Sequence, residues 1–190
     1  MKDNIMRQIE IEKMVINCGA VEDKLDRSIK LLEWITKRKV QTIKSSKRIP
    51  DFGISPGKKS GCKVTIRDRK EIFGLLKRFF AAIDNKISKR QISENHVSFG
   101  LKEYIEIPGL EYNRDIGILG FEVDLVFSRK GRRVKLRKIK KGKYPKKQAV
   151  HADEMIEYLK KNFGLGVVKT KKWQHQTGEN HWSSFQKNLQ

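Results

Sequence analysis

The stretch Leu119-Gly120-Phe121-Glu122-Val123-Asp124-Leu125-Val126-Phe127 decides the fold. Leu119, Phe121, Val123, Leu125 and Phe127 fall on one side, and Glu122 and Asp124 fall on the other. That two-residue period belongs to a strand with one covered face. The cover must come from amphipathic helices, and the chain supplies them. Val21 to Arg38 carries Leu25, Ile29, Leu32 and Ile35 at helical spacing. Lys70 to Ile83 carries Ile72, Leu75, Leu76, Phe79, Phe80 and Ile83, and a shorter helix from Asp153 to Asn162 turns Met155, Ile156 and Leu159 inward.

Further strands flank these helices. Ile9 to Cys18 is apolar on both faces and ends at Gly19, and Val40 to Ser46 is a polar strand. Cys62, Val64 and Ile66 alternate with Lys63, Thr65 and Arg67. Val97, Phe99 and Leu101 alternate in the same way, with Tyr104 to Ile107 read as a continuation. The expected fold is α+β, with helices packed on a largely antiparallel sheet and long basic loops. Strands separated by helices also allow a parallel sheet, although no Gly-rich turn follows the first strand as a nucleotide-binding α/β fold requires. The expected domain covers residues 1–164, with exposed loops at 50–61 and 128–148 and a polar extension over 165–190. Trp173, His175, His181 and Trp182 are scattered through that extension, which reads as poorly ordered on its own.

Charge points to the partner. The chain of 190 residues has a formal net charge of +21. Between Ser128 and Gln148 stand twelve basic residues and no acid: Arg129, Lys130, Arg132, Arg133, Lys135, Arg137, Lys138, Lys140, Lys141, Lys143, Lys146 and Lys147. Nothing within such a run offsets its self-repulsion, so a polyanion is the expected partner, with nucleic acid the first candidate. Basic residues also sit on or beside ordered elements. Lys37, Arg38, Lys39, Lys44, Lys47 and Arg48 surround the polar strand, and Lys63 and Arg67 share a strand face with Thr65. A solvated tail or a localisation signal would explain the run and leave these unexplained. A polar sheet face between two basic loops suits phosphate and sugar contacts. Among nucleic acids, RNA is only weakly preferred over DNA by these residues.

Other chemistry is poorly supported. No apolar run is long enough to span a bilayer, and Met1 to Gln8 lacks a signal-peptide core, so neither membrane insertion nor secretion is expected. Cys18 and Cys62 read as reduced, inert cytosolic thiols. His96, His151, His175 and His181 have no metal-ligand spacing, so no metal or other cofactor is expected. Gly53 to Ser60 spaces its glycines too closely for a phosphate loop. The carboxylate pairs Glu10/Glu12 and Glu122/Asp124 read as wet strand faces, not as catalytic acids.

The order of motifs resembles one family. Met6-Arg7 is followed by Ile11-Glu12-Lys13-Met14-Val15-Ile16-Asn17, Phe52-Gly53-Ile54 and Cys62-Lys63-Val64-Thr65-Ile66-Arg67. Then come Phe99-Gly100-Leu101-Lys102-Glu103-Tyr104-Ile105 and Asp115-Ile116-Gly117-Ile118-Leu119-Gly120-Phe121-Glu122-Val123. This ordered set, over roughly residues 5 to 164, is similar to the universal large-subunit ribosomal protein that binds 5S rRNA. That family is "L-five" in bacteria and "L-eleven" in eukaryotic cytosolic ribosomes. Asp115 to Gly120 resembles its eukaryotic and archaeal branch. Two motifs depart: Gly19-Ala20-Val21 stands for the usual glycine-valine-glycine, and Arg38-Lys39-Val40 for glutamine-x-proline.

The resemblance implies a structural, non-enzymatic protein of the central protuberance. Its implied partners are 5S rRNA, large-subunit rRNA, the peptidyl-site tRNA and neighbouring ribosomal proteins. It implies a place in the cytoplasmic ribosome, preceded by assembly in the nucleus or nucleolus if the source is eukaryotic. Asn17, Lys44, Lys63, Thr65 and Arg67 match the family's RNA-facing sheet. Lys47 and Arg48, with Arg129, Lys130, Arg132, Arg133, Lys135, Arg137 and Lys138 of the run, complete the expected RNA-binding set. Phe52, Gly53, Ser55, Gly57, Lys58 and Lys59 form the loop expected near tRNA. Without the resemblance, a non-ribosomal regulator binding any polyanion remains an alternative. A nucleic-acid enzyme would need a carboxylate cluster for magnesium that the sequence does not display.

Overall fold

The computed structural model describes residues 4–168. Trp173, His175, His181 and Trp182 lie outside the described residues. In chain order the elements are β1 (Ile9–Gly19), α1 (Asp23–Thr36), β2 (Gln41–Lys44), β3 (Lys59–Ile66), α2 (Arg69–Ala82), β4 (Lys86–Ser88) and β5 (Ile92–Ser93). They continue as β6 (His96–Leu101), β7 (Phe121–Arg129), α3 (Arg133–Leu136), α4 (Ala152–Phe163) and β8 (Gly166–Val168). Six strands form one sheet in the order β2-β3-β1-β7-β6-β5. Every pairing within it is antiparallel, and parallel pairing among the described residues is confined to the small β4–β8 sheet.

One face of the sheet carries the core. Met14 lies between Ile66 of β3 and Leu125 of β7, and Ile16 lies between Val64 and Val123, all buried. Leu31 and Leu32 of α1, Leu76, Phe79 and Phe80 of α2, and Met155 and Leu159 of α4 close over this layer. Phe79 meets Phe121 edge-on with ring centroids 5.6 Å apart, and Phe127 meets Tyr158 at 5.7 Å. Each such side chain, removed from water, contributes about 1.5–3 kcal/mol. The Asp68 side chain caps α2 by accepting from the Lys70 amide, and Gly164, at φ 66°, ends α4.

Four expectations change. The decisive strand runs two residues later than the alternation suggests. Gly120 packs against the Leu101 and Lys102 carbonyls, while the Leu119 carbonyl accepts a hydrogen bond from the Tyr104 amide at 3.0 Å. Tyr104 to Ile107 does not continue β6. A 3-10 turn over Tyr104–Glu106 sinks the Tyr104 ring into the core, where its hydroxyl accepts from the Asn113 amide at 2.9 Å. The expected loop 50–61 is shorter, because β3 begins at Lys59 and Ile54 is buried while bridging Ile49. The polar extension starts later than residue 165, since Leu165 is in the core and Gly166–Val168 pairs with β4.

Candidate nucleic-acid interface

The helices cover one face of the sheet, and side chains pointing to the other face are only partly buried or exposed. Strand register arranges that open face in rows. Gln41, Lys63, Asn17, Glu122 and Gly100 form one row across β2, β3, β1, β7 and β6. Thr65, Val15, Asp124 and Ser98 form the next, and Lys13, Val126 and His96 another. The β-pleat therefore brings Asn17, Lys63 and Thr65 together, although 48 positions separate the outer two in sequence. Arg67 follows on the exposed side just past the end of β3. Arg38, Lys39, Gln41, Lys63, Thr65 and Arg67 line a polar cleft of about 450 Å³ at this edge.

Electrostatics divides the face. Its β2–β3 side is basic, and at that end Lys44 and Lys59 are direct cross-strand partners. Like charges so placed destabilise the pair unless an anion neutralises them. Its β7 side carries Glu122 and Asp124, so anionic backbone is favoured on one half and repelled on the other. Sequence reasoning placed the acids on a wet face, but could not reveal that this face is the one bearing Asn17 and Lys63. Gln41 was also missed, since a lone glutamine in a polar strand gives no signal until register sets it opposite Lys63.

The β2–β3 connection projects from the same edge. Ser45 and Lys58 clamp its base, with the Ser45 amide donating to the Lys58 carbonyl at 2.9 Å. Beyond the clamp Phe52 is 72 % exposed, and Lys47, Arg48, Gly53, Ser55 and Gly57 are exposed around it. Gly53 and Gly57 have φ of 61° and 85°, a backbone region that glycine adopts at low cost. Lys58 is engaged within the protein, its Nζ donating to Glu22 Oε1 at 2.6 Å and to the Gly53 carbonyl oxygen at 3.3 Å. The ammonium holds the Glu22 carboxyl below its usual range.

The basic run is an arm with an anchored root. Arg129 is the last residue of β7, only 7 % exposed and ion-paired to Glu154 of α4. Arg132 pairs with Glu12, and Lys130 with Glu10 at 3.6 Å. The acids absent from the run are thus supplied by β1 and α4. Arg133, Lys135, Arg137 and Lys138 are exposed and, among the described residues, in no ion pair. Within the expected set, the arm leaves these four exposed and commits Arg129 to the fold.

Cys18 and Cys62 face each other across β1 and β3, both buried and free. Cys18 Sγ donates to Ser28 Oγ at 3.2 Å, and the neighbouring Cys62 thiol holds the Cys18 thiol below its usual range while Cys18 and burial push that of Cys62 up. The described residues contain no group of three or more His, Cys, Asp or Glu able to hold a metal ion, and no helix long and apolar enough to cross a membrane.

A family model for the C-terminus of the ribosomal L5 protein family matches residues 59–158. This span runs from β3 into α4 and includes the decisive strand and the arm. The chain belongs to the ribosomal L5 family. The large ribosomal subunit protein uL5 of Methanosphaera stadtmanae is 36 % identical over 167 residues, covering 86 % of this chain and 99 % of that one. The uL5 protein of Picrophilus torridus is 36 % identical over 170 residues, covering 87 % and 96 %. That of Nanoarchaeum equitans is 33 % identical over 165 residues, covering 86 % and 98 %. A member of this family is a structural constituent of the large ribosomal subunit, not an enzyme.

Proposed function

We propose that this L5-family chain binds 5S rRNA with the β2–β3–β1 half of its open sheet face and large-subunit rRNA with its basic arm. It sits in the central protuberance beside other ribosomal proteins, in the cytoplasmic ribosome. The exposed tip of the β2–β3 connection, with Phe52, Gly53, Ser55 and Gly57, approaches the peptidyl-site tRNA. The observation that carries the reading is the juxtaposition of Lys63, Asn17, Thr65 and Gln41 on a sheet face that no helix covers. Lysine and arginine release counterions from phosphate. Asn17, Thr65 and Gln41 can exchange hydrogen bonds with ribose 2′-hydroxyls and base edges, which distinguishes folded RNA from a bare polyanion.

Lys44, Lys47 and Arg48 extend the basic edge toward the tip, and Lys59 adds charge opposite Lys44. On the other side Glu122 and Asp124 repel misplaced phosphates and so help to fix the register of a bound RNA helix. The arm contributes charge that depends little on RNA shape. Charge reversal separates the two contributions. Lys63→Glu with Arg67→Glu is expected to weaken 5S rRNA binding by about tenfold or more, and by more than Lys140→Glu with Lys141→Glu. Filter binding of the full chain measures both. Equal losses would reduce the sheet face to generic adhesion and overturn the proposal.

A further inference from the structure

The arm contains a built cleft. Residues Arg133–Leu136 form a helical turn, and the chain returns so that the Gly142 amide donates to the Val134 carbonyl at 3.1 Å. A Cβ at position 142 would stand 2.7 Å from Val134 Cγ1, so the returning chain packs closely on that side chain. Lys135, Lys141, Gly142, Lys143 and Tyr144 line the resulting space of about 490 Å³. That volume lies within the roughly 300–1,000 Å³ typical of small-ligand sites. Tyr144 is half-buried, and its hydroxyl donates to the Gln148 carbonyl at 3.1 Å. That hydrogen bond ties Tyr144 to the return of the chain, where it forms part of the cleft's lining. Lys135, Lys141 and Lys143 are exposed and, among the described residues, in no ion pair.

A tyrosine sharing a cleft with three lysines that are in no ion pair among the described residues suits one chemistry: a planar π-system joined to phosphates. A paired base hides its faces within the duplex stack, whereas an unpaired base can lie on a tyrosine while lysines hold its flanking phosphates. We propose that the Tyr144 cleft binds a single unpaired nucleotide of a folded RNA, with the base on the Tyr144 ring and the flanking phosphates on Lys135, Lys141 and Lys143. This rests on the RNA-binding reading above and adds a specific contact to an arm otherwise read as charge alone.

The test uses the full chain and two RNA hairpins, identical except that one carries a single bulged 2-aminopurine. The wild-type chain is expected to quench the 2-aminopurine fluorescence and to bind the bulged hairpin about tenfold more tightly than the paired one. Tyr144→Leu should abolish the quenching and the preference for the bulged hairpin. Tyr144→Phe, which keeps the ring and loses the hydroxyl contact, should retain the preference. Lys135→Gln with Lys143→Gln should weaken both hairpins and reduce the salt dependence. If Tyr144→Leu keeps the preference, or the wild-type chain binds both hairpins equally, the cleft is not a nucleotide site and RNA binding by the sheet face still stands. If the wild-type chain binds neither hairpin more tightly than duplex DNA, the RNA reading fails together with this one.

Discussion

A methyl group at position 120 would stand 2.5 Å from the Leu101 carbonyl oxygen and also press on that of Lys102. Both are backbone atoms, so relief requires moving the end of β6 away from the start of β7. Gly120→Ala is therefore expected to destabilise the fold by about 1–3 kcal/mol, as overpacking does in a tight interior. Gly100→Ala is the control, because nothing lies within 4 Å of its added Cβ, and its effect should stay within about 0.5 kcal/mol. Urea denaturation followed by circular dichroism measures both, and equal midpoints would refute the close approach. The same residue explains why the strand was read two positions early. Leu119 fits the alternation, but hydrophobicity carries no record of two carbonyls waiting beside Gly120. Lys63, Thr65 and Arg67 were legible as one face of a strand because their period is local. Gln41 was not, because its role comes from a partner on another strand.

At the scale of elements, the root of the arm was the part least legible in sequence. Ser128 to Gln148 reads as uncompensated charge, yet Glu154, Glu10 and Glu12 neutralise its first three cations. Those acids come from β1 and α4, and only the fold brings them near. Removing the Glu154 charge should cost roughly 1–3 kcal/mol, less than for a fully buried pair, because Glu154 is itself 41 % exposed. Proteolysis can read this locally, since cleavage requires the backbone to open. Among the described residues, trypsin is expected to cut the native chain first after arm residues such as Lys138 and Lys140, with Arg129 and Arg132 protected. In the Glu12→Gln, Glu154→Gln variant the root sites should become early cuts by mass spectrometry. Early cleavage after Arg129 in the unaltered chain would show that the root is not held. The three long helices and strands β1, β3, β6 and β7 were well marked, because each buries one periodic stripe, whereas the short β4, β5, α3 and β8 went unread. The Tyr104 turn was a further exception, where a polar-tipped aromatic in an alternating run sank into the core instead of extending the sheet.

For the whole molecule, the order β2-β3-β1-β7-β6-β5 is what turns scattered basic residues into a surface. Alternation identified the strands and amphipathic stripes identified their cover, so the α+β class was accessible from sequence. The order was not, since pairing β1 with β7 joins residues more than a hundred positions apart. Placing β1 between β3 and β7 sets Asn17 between Lys63 and Glu122, where the basic half of the face meets its acidic boundary. The central claim is that this divided face adds shape recognition to the attraction any polyanion feels for a chain of net charge +21. The most direct measurement is a salt titration of the full chain bound to labelled 5S rRNA, with tRNA and duplex DNA of similar length as competitors. Phosphate contacts alone weaken in parallel as counterions accumulate. The face predicts that 5S rRNA stays bound at salt concentrations that strip tRNA and duplex DNA. Release of all three at the same salt would contradict it.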